Sequence, residues 1–514
     1  MNKRAFQPGV CVLLAMLFVA ATTDLRAQDG QSVAPSNPAA NPVPAPPVIG
    51  PPQPSTAGQP PAPAAEKPTA DENRPPDYSA LPPADNNSNA ELGKRVSDLE
   101  KQLADYAKAA ADAKGQPPTK PLIAPSGRIQ FDVANFSQNP ASNAQFGNAQ
   151  NTVGFRRARL ALLGEYGVCD YIIEMDFANR GIASAINQKD QSTGFKDVYI
   201  QVRELPVIGN VRVGHFKECF GLEQLTSDNY TTFMERSVDD EGAFVPGRND
   251  GIMAYNWTES QRATWAIGAF ANQTGFDQPP TFVYDHWGLD CTMRGTYLPW
   301  YDEASGGRGL LHLGVDYSYR SAPDHTMALA ARPESAFAPS VISMSLTDVT
   351  NMQVADAEAA LVYGPFSVQT ELFASNLNHL TAASNNFWGG YAFVSYFLTG
   401  ENRPYNRKMG VFDRVRPYED FFRVRTCDGS TCTGRGAWEM AYRFSYIDML
   451  DGMTTTKGAG IATDQTLGLN WYLNPYTKVM FNYVHTMDTY NVSTTSRVTG
   501  GNMDIFEMRF AMDF

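Results

Sequence analysis

The sequence has few charged residues and no long apolar segment after its N-terminus. Charged residues make up 18% of the 514 residues, below the roughly 25% of ordinary globular proteins. The mean hydropathy is −0.33, so the apolar residues are dispersed. No later run approaches the ~18–20 apolar residues that a membrane-spanning helix needs. These features exclude a helical membrane protein, and they suit a barrel whose strands expose every second residue to lipid.

The sequence also lacks an excess of basic residues. It holds 41 Lys and Arg against 54 Asp and Glu, which gives a net charge of −13 and argues against nucleic acid as a partner. The six His are scattered without zinc-protease spacing, and neither a Gly-x-Ser-x-Gly elbow nor a phosphate-binding glycine loop is present. We therefore expect no enzymatic activity, no cofactor and no resident metal.

Cysteine is scarce, and its number is odd once a signal peptide is removed. Residues 1–27 combine Lys3 and Arg4 with an apolar stretch and small residues, which predicts a cleaved secretory signal; a short buried helix is the alternative. Cys11 lies in this segment, so five cysteines remain. Cys427 and Cys432 flank a turn-rich segment and are predicted to form a disulfide. Metal binding is the alternative there, although no His lies nearby.

Two further segments precede the main domain. Residues 28–90 consist mostly of Pro, Ala, Asn and Ser, which predicts a disordered tether without a packed core. Residues 91–115 then place apolar side chains at alternating spacings of four and three, which predicts a short coiled-coil helix. A single amphipathic helix on another surface is the alternative.

The rest of the chain, residues 126–514, is dominated by alternating segments. In the last one, Phe506, Met508 and Phe510 share one face with Met512 and Phe514, while Glu507 and Arg509 lie on the other. Such a strand separates an apolar environment from an aqueous one. We predict a transmembrane antiparallel β-barrel of about sixteen strands at residues 128–136, 153–164, 170–178, 195–203, 210–217, 250–258, 263–272, 285–298, 310–320, 354–364, 366–375, 387–399, 438–448, 466–473, 478–486 and 503–514.

Connections between these strands alternate between short and long, as expected if both termini are periplasmic. Residues 400–436 are the exception, because they are long where a short periplasmic turn is expected. Either a strand has been overlooked there or the turn folds into the lumen. Residues 218–249 carry seven large apolar residues that would be costly to expose, so this connection is predicted to pack inside the barrel and narrow the pore.

The polar faces of the strands carry both signs of charge. Arginine is suited to phosphate-like anions because its planar guanidinium binds two oxygens at once. Each arginine has an alternative role, which is to brace the wall by pairing with a lumenal carboxylate. The predicted pore-lining cations, with Arg236 and Arg248 as constriction candidates, are Arg157, Arg159, Arg203, Arg212, Arg236, Arg248, Arg294, Arg320, Arg443, Lys478 and Arg509.

Several segments in this order resemble a known family, the phosphate-selective porins O and P. The resemblance is carried by residues 154–164, 214–223, 230–237, 396–405 and 436–440, and it extends over residues 126–514. It implies a trimeric sixteen-stranded barrel with loops folded into the lumen and arginines that guide anions through a constriction. It also provides a precedent for an inward periplasmic turn at 400–436. Arg157 and Arg159 carry over most directly, from the early strand motif.

The predicted function is an outer-membrane porin for passive diffusion of small hydrophilic solutes, with a bias to anions such as phosphate. Its expected partners are outer-membrane lipid, small anionic or neutral solutes and two further copies of the chain, with residues 28–115 in the periplasm. An alternative is a structural protein whose tether and coiled coil link the outer membrane to the cell wall. A soluble secreted β-sandwich is a second alternative, which the terminal strand disfavours.

Overall fold

The computed structural model describes residues 97, 101, 121–178, 194–240, 243–272, 288–425, 431–453, 456–492, 497–498 and 500–514. The predicted signal peptide, the tether and nearly all of the predicted coiled coil lie outside these residues. Cys427 and the side chain of Cys432 also lie outside them, so their disulfide stays a prediction, whereas Cys169, Cys219 and Cys291 are free thiols. None of the helices in the described part of the chain combines the length and apolarity needed to cross a membrane.

Sixteen long strands form one antiparallel barrel. They are β1 Leu122–Gln138, β2 Thr152–Tyr166, β3 Cys169–Asp176, β4 Gly194–Leu205, β5 Gly209–Lys217, β6 Arg248–Trp257, β7 Ala263–Asn272, β8 Gly288–Tyr301, β9 Gly309–Ser321, β10 Val349–Tyr363, β11 Phe366–His379, β12 Asn385–Phe397, β13 Ala437–Asp448, β14 Gly460–Asn474, β15 Thr477–Val492 and β16 Gly501–Asp513. Each strand pairs with its sequence neighbour, and β1 pairs with β16, so the sheet is closed. The prediction of about sixteen strands is confirmed.

Alternation along each strand produces an apolar outer face. On β9, Val315 points outward with 66% of its surface exposed, while the next residue, Asp316, points into the lumen and is buried. On β16, Phe506 and Phe510 are 57% and 49% exposed, whereas Arg509 between them is buried. Apolar side chains in contact with lipid and polar side chains inside are what a membrane-spanning barrel requires.

The two ends of the barrel differ in their connections. We call the end where β1 begins and β16 ends the near end, and the opposite end the far end. Most near-end connections are short turns, such as the two residues between Tyr363 and Phe366, where Gly364 adopts a left-handed φ of 58°. Most far-end connections are longer. One of them contains a separate hairpin of Thr326–Ala331 and Ile342–Thr347.

The far-end connection at residues 218–247, which we call the inner loop, packs inside the barrel. Its aromatic side chains Phe220, Phe233 and Phe244 are completely buried. Phe220 and Phe244 stack on the lumenal Phe373, with ring centroids 6.3 and 5.9 Å apart, and Phe233 meets Phe393 edge to face at 5.4 Å. Burial of these rings gives the inner loop an apolar core of its own inside a polar lumen.

Part of the long near-end connection at residues 398–436 also enters the barrel. Phe412 is 1% exposed and packs against Leu298, Leu310 and Val362 of the wall. Its two short hairpins, Tyr405–Asn406 with Val411–Phe412 and Phe422–Arg425 with Thr431–Gly434, do not join the barrel sheet. Of the two sequence-based alternatives, the inward turn is therefore the one found.

Candidate solute pathway in the lumen

One carboxylate of the inner loop, Asp228, binds two arginines of β2 and one arginine of the inner loop itself. Asp228 Oδ2 lies 2.9 Å from Arg157 Nε and 3.3 Å from Arg159 Nη1, and its Oδ1 lies 2.5 Å from Arg236 Nη2. Burial raises the pKa of Asp228, but the surrounding guanidinium groups lower it by more, so the pKa lies well below its ordinary value. Asp228 is therefore ionised at neutral pH and fixes the inner loop to β2.

A second carboxylate of the inner loop, Glu235, is held in the same way. Arg156 binds both of its oxygens, at 2.9 and 2.8 Å, and Arg509 Nη2 lies 2.5 Å from Oε1. Arg157 Nη1 adds a longer contact of 3.8 Å. The attraction within a buried ion pair offsets the loss of hydration of the two charges only when their hydrogen-bond geometry is close to ideal. Glu235 thus joins the inner loop to both β2 and β16.

Other predicted cations also hold the inner loop. Arg443 Nη1 lies 2.8 Å from Glu223 of the inner loop. Its Nη2 lies 2.6 Å from Glu334, which belongs to the far-end connection between β9 and β10. Lys478 Nζ donates to the carbonyl oxygen of Thr231 at 3.1 Å, and Arg320 donates to the carbonyl oxygen of Phe244. The predicted cations that contact the inner loop or its carboxylates are Arg157, Arg159, Arg236, Arg320, Arg443, Lys478 and Arg509. Lys478 and Arg320 contact backbone carbonyl oxygens of the inner loop, whereas the other five bind carboxylates, which is the arrangement that the bracing alternative describes.

A cavity with an excess of positive charge lies beside the inner loop. Its volume is about 300 Å³, and its walls come from β1, the β4–β8 region, the inner loop and residues 406–413 of the near-end connection. We call it the basic cavity. Six cationic side chains line it against three carboxylates: Arg128, Arg212, Lys217, Arg248, Arg294 and Lys408, with Asp197, Asp228 and Asp413.

Arg212 is the most distinctive cation of the basic cavity. Its guanidinium carbon lies 4.0 Å from the ring centroid of Tyr199 and 5.5 Å from that of Tyr255. Its Nε and Nη2 donate to Gln201 Oε1 at 3.1 and 2.9 Å. Within the described residues no carboxylate forms an ion pair with Arg212. Stacking and hydrogen bonds therefore hold a positive charge in place without a fixed counter-ion.

Other cavity cations differ in how much of their charge is compensated. Arg248 binds Asp197 through two contacts of 3.1 and 3.2 Å. Arg294 binds both oxygens of Glu358 at 2.8 Å and donates to the carbonyl oxygen of Gly410 at 2.9 Å. Lys408 Nζ instead lies 5.3 Å from the ring of Trp257. The compensated arginines shape the wall, and the less compensated cations determine the sign of the potential.

Only some of these positions were predicted from the sequence. The predicted cations include Arg212, Arg248 and Arg294 but not Arg128, Lys217 or Lys408. Arg128 shares the lumenal face of β1 with Gln130, a signal that was available in the alternation. Lys408 lies in a connection, and only the fold places it in the lumen.

Arg203 is the one predicted cation that neither contacts the inner loop nor lines the basic cavity. It lies at the near end, where it binds Glu165 at 2.7 Å and Asp170 at 3.0 Å, and its side chain is 32% exposed. A partly exposed pair of this kind has little influence on the lumen.

Comparison with known proteins identifies similar sequences and folds. A family model described as phosphate-selective porin O and P matches residues 123–514. Porin O of Pseudomonas aeruginosa is 28% identical over 416 residues, which cover 74% of this chain and 84% of that protein. Among solved structures, an anion-selective porin from Comamonas acidovorans has 12% identity and a TM-score of 0.43, covering 77% of this chain and 100% of its own. The outer-membrane channel DcaP of Acinetobacter baumannii has 10% identity and a TM-score of 0.44, with 77% and 99% covered.

Proposed function

Because the chain belongs to the phosphate-selective porin O and P family, it is an outer-membrane porin, and we propose that the basic cavity gives its channel a preference for anions. Transport through such a channel is passive diffusion of small hydrophilic solutes. The family and the fold point to a channel rather than an enzyme. They also favour the channel over the envelope-anchoring alternative, whose tether and nearly all of whose coiled coil lie outside the described residues.

The observation that carries this proposal is the environment of Arg212. A guanidinium with no carboxylate partner among the described residues attracts an anion without first breaking an ion pair. The aromatic rings around it exclude water on their side, and a charge interacts more strongly where the local dielectric constant is low. Its planar donor group also suits the oxygens of phosphate-like anions. Arg212 therefore supplies a fixed site of positive potential in the channel.

The remaining cavity charges tune this attraction. Lys217 and Lys408 add to the positive potential, while Asp197, Asp228 and Asp413 reduce it. A permeation site must bind strongly enough for entry and weakly enough for release. An excess of cations over carboxylates, rather than cations alone, meets both conditions for a small anion.

Two further parts of the proposal concern assembly and orientation. We propose that three copies assemble in the outer membrane, with family membership as the support. The near end then faces the periplasm, because short turns characterise the periplasmic end of bacterial barrels. The preceding residues 28–115 would lie in the periplasm.

Reversal potential in a salt gradient tests the anion preference. The protein, reconstituted into a planar bilayer between unequal KCl solutions, is expected to show anion selectivity. The Arg212→Gln variant is expected to lower the ratio of chloride to potassium permeability, and millimolar phosphate is expected to block chloride current less in this variant than in the wild type. Arg203→Gln serves as the matched control, because Arg203 lies outside the basic cavity. Cation selectivity of the wild type, or equal effects of the two variants, would contradict the proposal.

A further inference from the structure

Carboxylates from adjacent strands face each other across the lumenal wall near the inner loop. Asp316 of β9 lies directly opposite Asp356 of β10, and Glu358 of β10 lies directly opposite Glu371 of β11. All four are at most 5% exposed. Like charges in directly opposed positions destabilise an antiparallel pair. This wall therefore carries a concentration of negative charge that requires compensation.

The cationic side chains nearby compensate only part of the negative charge of these four carboxylates. Arg294 binds Glu358 through two contacts of 2.8 Å and lies 3.6 Å from Asp316. His312 Nε2 lies 2.8 Å from Glu358 Oε2, so it serves the same carboxylate. Compensation is thus concentrated on Glu358.

Asp356 is left without a partner within the described part of the chain. It is 4% exposed, and neither of its carboxylate oxygens has a hydrogen-bond partner among those residues. Oδ1 of Asp316 likewise has no hydrogen-bond partner among the described residues. A buried carboxylate without hydrogen bonds is strongly unfavourable, because it loses its hydration and receives nothing in exchange. The three unpaired oxygens point to a positively charged ligand.

The spacing of the carboxylates fits a metal ion. One oxygen each from Asp316, Asp356 and Glu358 can be chosen so that all three lie within 4.8 Å of one another. Ca²⁺ binds oxygen ligands at about 2.3–2.6 Å, so two ligands of one ion lie up to about 5 Å apart. Gly314 makes room for this arrangement, because a Cβ at that position would lie 2.2 Å from Glu358 Oε2.

We propose that Asp316, Asp356 and Glu358 form a binding site for a divalent cation of the Ca²⁺ class. The ligands are all carboxylate oxygens, which favour hard cations, whereas Zn²⁺ prefers nitrogen and sulfur. Ca²⁺ is favoured over Mg²⁺, because Ca²⁺ accepts oxygen ligands in a flexible geometry, whereas Mg²⁺ demands near-ideal octahedral geometry at shorter distances. Water molecules complete the coordination.

The proposed site lies next to the beginning of the inner loop, so a bound cation would affect how the loop is attached to the wall. Asp316 Oδ2 accepts a hydrogen bond from the backbone N–H of Gly221 at 2.6 Å. The adjacent Glu371 accepts from the N–H groups of Leu222 and Glu223, the latter at 3.1 Å. A cation that holds these carboxylates ionised and in place therefore anchors the beginning of the inner loop to the wall.

Equilibrium dialysis with radioactive Ca²⁺ tests this site. The full chain is refolded from inclusion bodies into a zwitterionic detergent, so that no lipopolysaccharide contributes binding, and is treated with EGTA before dialysis. The wild type is expected to bind one Ca²⁺ per chain in a saturable manner, and Asp356→Asn is expected to lose this binding. Asp464→Asn is the matched control, because Asp464 is also lumenal and buried with one unpartnered oxygen but lies outside the cluster.

Thermal unfolding provides a second measurement. Ca²⁺ is expected to raise the midpoint of the wild type and of Asp464→Asn but not that of Asp356→Asn. If Asp356→Asn does not refold, the wild type decides: saturable binding with a raised midpoint supports the site. Absence of saturable binding to the wild type, unchanged binding in folded Asp356→Asn, or displacement by an equal concentration of Mg²⁺ would overturn the assignment.

Discussion

Arg509 of the last strand and Asp132 of the first strand lie directly opposite each other and share two hydrogen bonds of 2.7 Å. This pair bridges the seam at which the barrel closes. Arg509 also reaches Glu235 at 2.5 Å, so the seam and the inner loop are joined through a single guanidinium. Closure of the sheet and placement of the inner loop are therefore linked.

The first prediction concerns Arg509 itself. Arg509→Met is expected to lower the free energy of unfolding by ~3–5 kcal/mol, because it leaves Asp132 buried without its partner and removes one of the cations that bind the buried Glu235. Urea unfolding of the refolded protein in detergent, followed by tryptophan fluorescence, measures the change. Arg203→Met is the control, with an expected loss of at most ~1 kcal/mol because its ion pairs are partly exposed. Equal losses of unfolding free energy in the two variants would show that the Arg509–Asp132 pair stabilises the barrel no more than an exposed ion pair does.

The second prediction concerns the ion pairs that fix the inner loop to the barrel wall. Glu235→Gln removes the charge that attracts Arg156 and Arg509, so the inner loop is expected to move more freely. Single-channel recordings should then show larger current fluctuations than those of the wild type. Glu165→Gln is the control, because that carboxylate lies at the exposed near end. Wild-type current noise in folded Glu235→Gln would mean that other contacts suffice to fix the loop.

The third prediction is a pH dependence that originates at Asp239 of the inner loop. Burial, followed by repulsion from Glu334, Asp464 and Asp240, raises the pKa of Asp239 well above its ordinary value. Between the unfolded pKa of about 3.9 and the raised folded pKa, the folded state keeps a proton that the unfolded state releases. The contribution of Asp239 to stability is thus fully present below pH ~3.9 and is lost as the pH rises through the folded pKa.

Asp239→Asn tests this pH dependence, because an amide stays neutral at every pH. The variant is expected to lose less stability than the wild type as the pH rises. Each kcal/mol of difference in the free energy of unfolding corresponds to a shift of ~2–4 °C in the thermal midpoint. Midpoints measured from pH 4 to pH 9 provide the comparison, and Asp302→Asn in a near-end turn is the control. Parallel pH profiles of Asp239→Asn and the wild type would rule out Asp239 as the source.

The fourth prediction concerns the lipid-facing surface. Val315→Arg is expected to destabilise the folded barrel by ~2–4 kcal/mol in a bilayer, because the side chain lies on the outer face midway along β9. Val315→Leu should have little effect. Folding titrations in lipid vesicles measure both changes, and tolerance of arginine at this position would place it outside the hydrocarbon region.

Prediction from the sequence succeeded where periodicity carries the information. Each of the sixteen predicted segments corresponds to one barrel strand, and the inner loop was located from its apolar content. The site was predicted only in part, because alternation shows which side chains face the lumen but not what they contact there. Arg157 and Arg212 look alike in the sequence, yet one binds Asp228 and the other stacks between Tyr199 and Tyr255.

The two-residue period is enough to predict a closed barrel, because it fixes which side chains meet lipid and which meet water. The division of the lumen, in contrast, depends on contacts that form only in the folded protein. The inner loop brings its carboxylates to one group of arginines, while residues 406–413 of the long near-end connection fold inward and bring Lys408 to the basic cavity. These pairings join residues far apart in the chain, so they depend on the three-dimensional path of two loops, which no local pattern encodes.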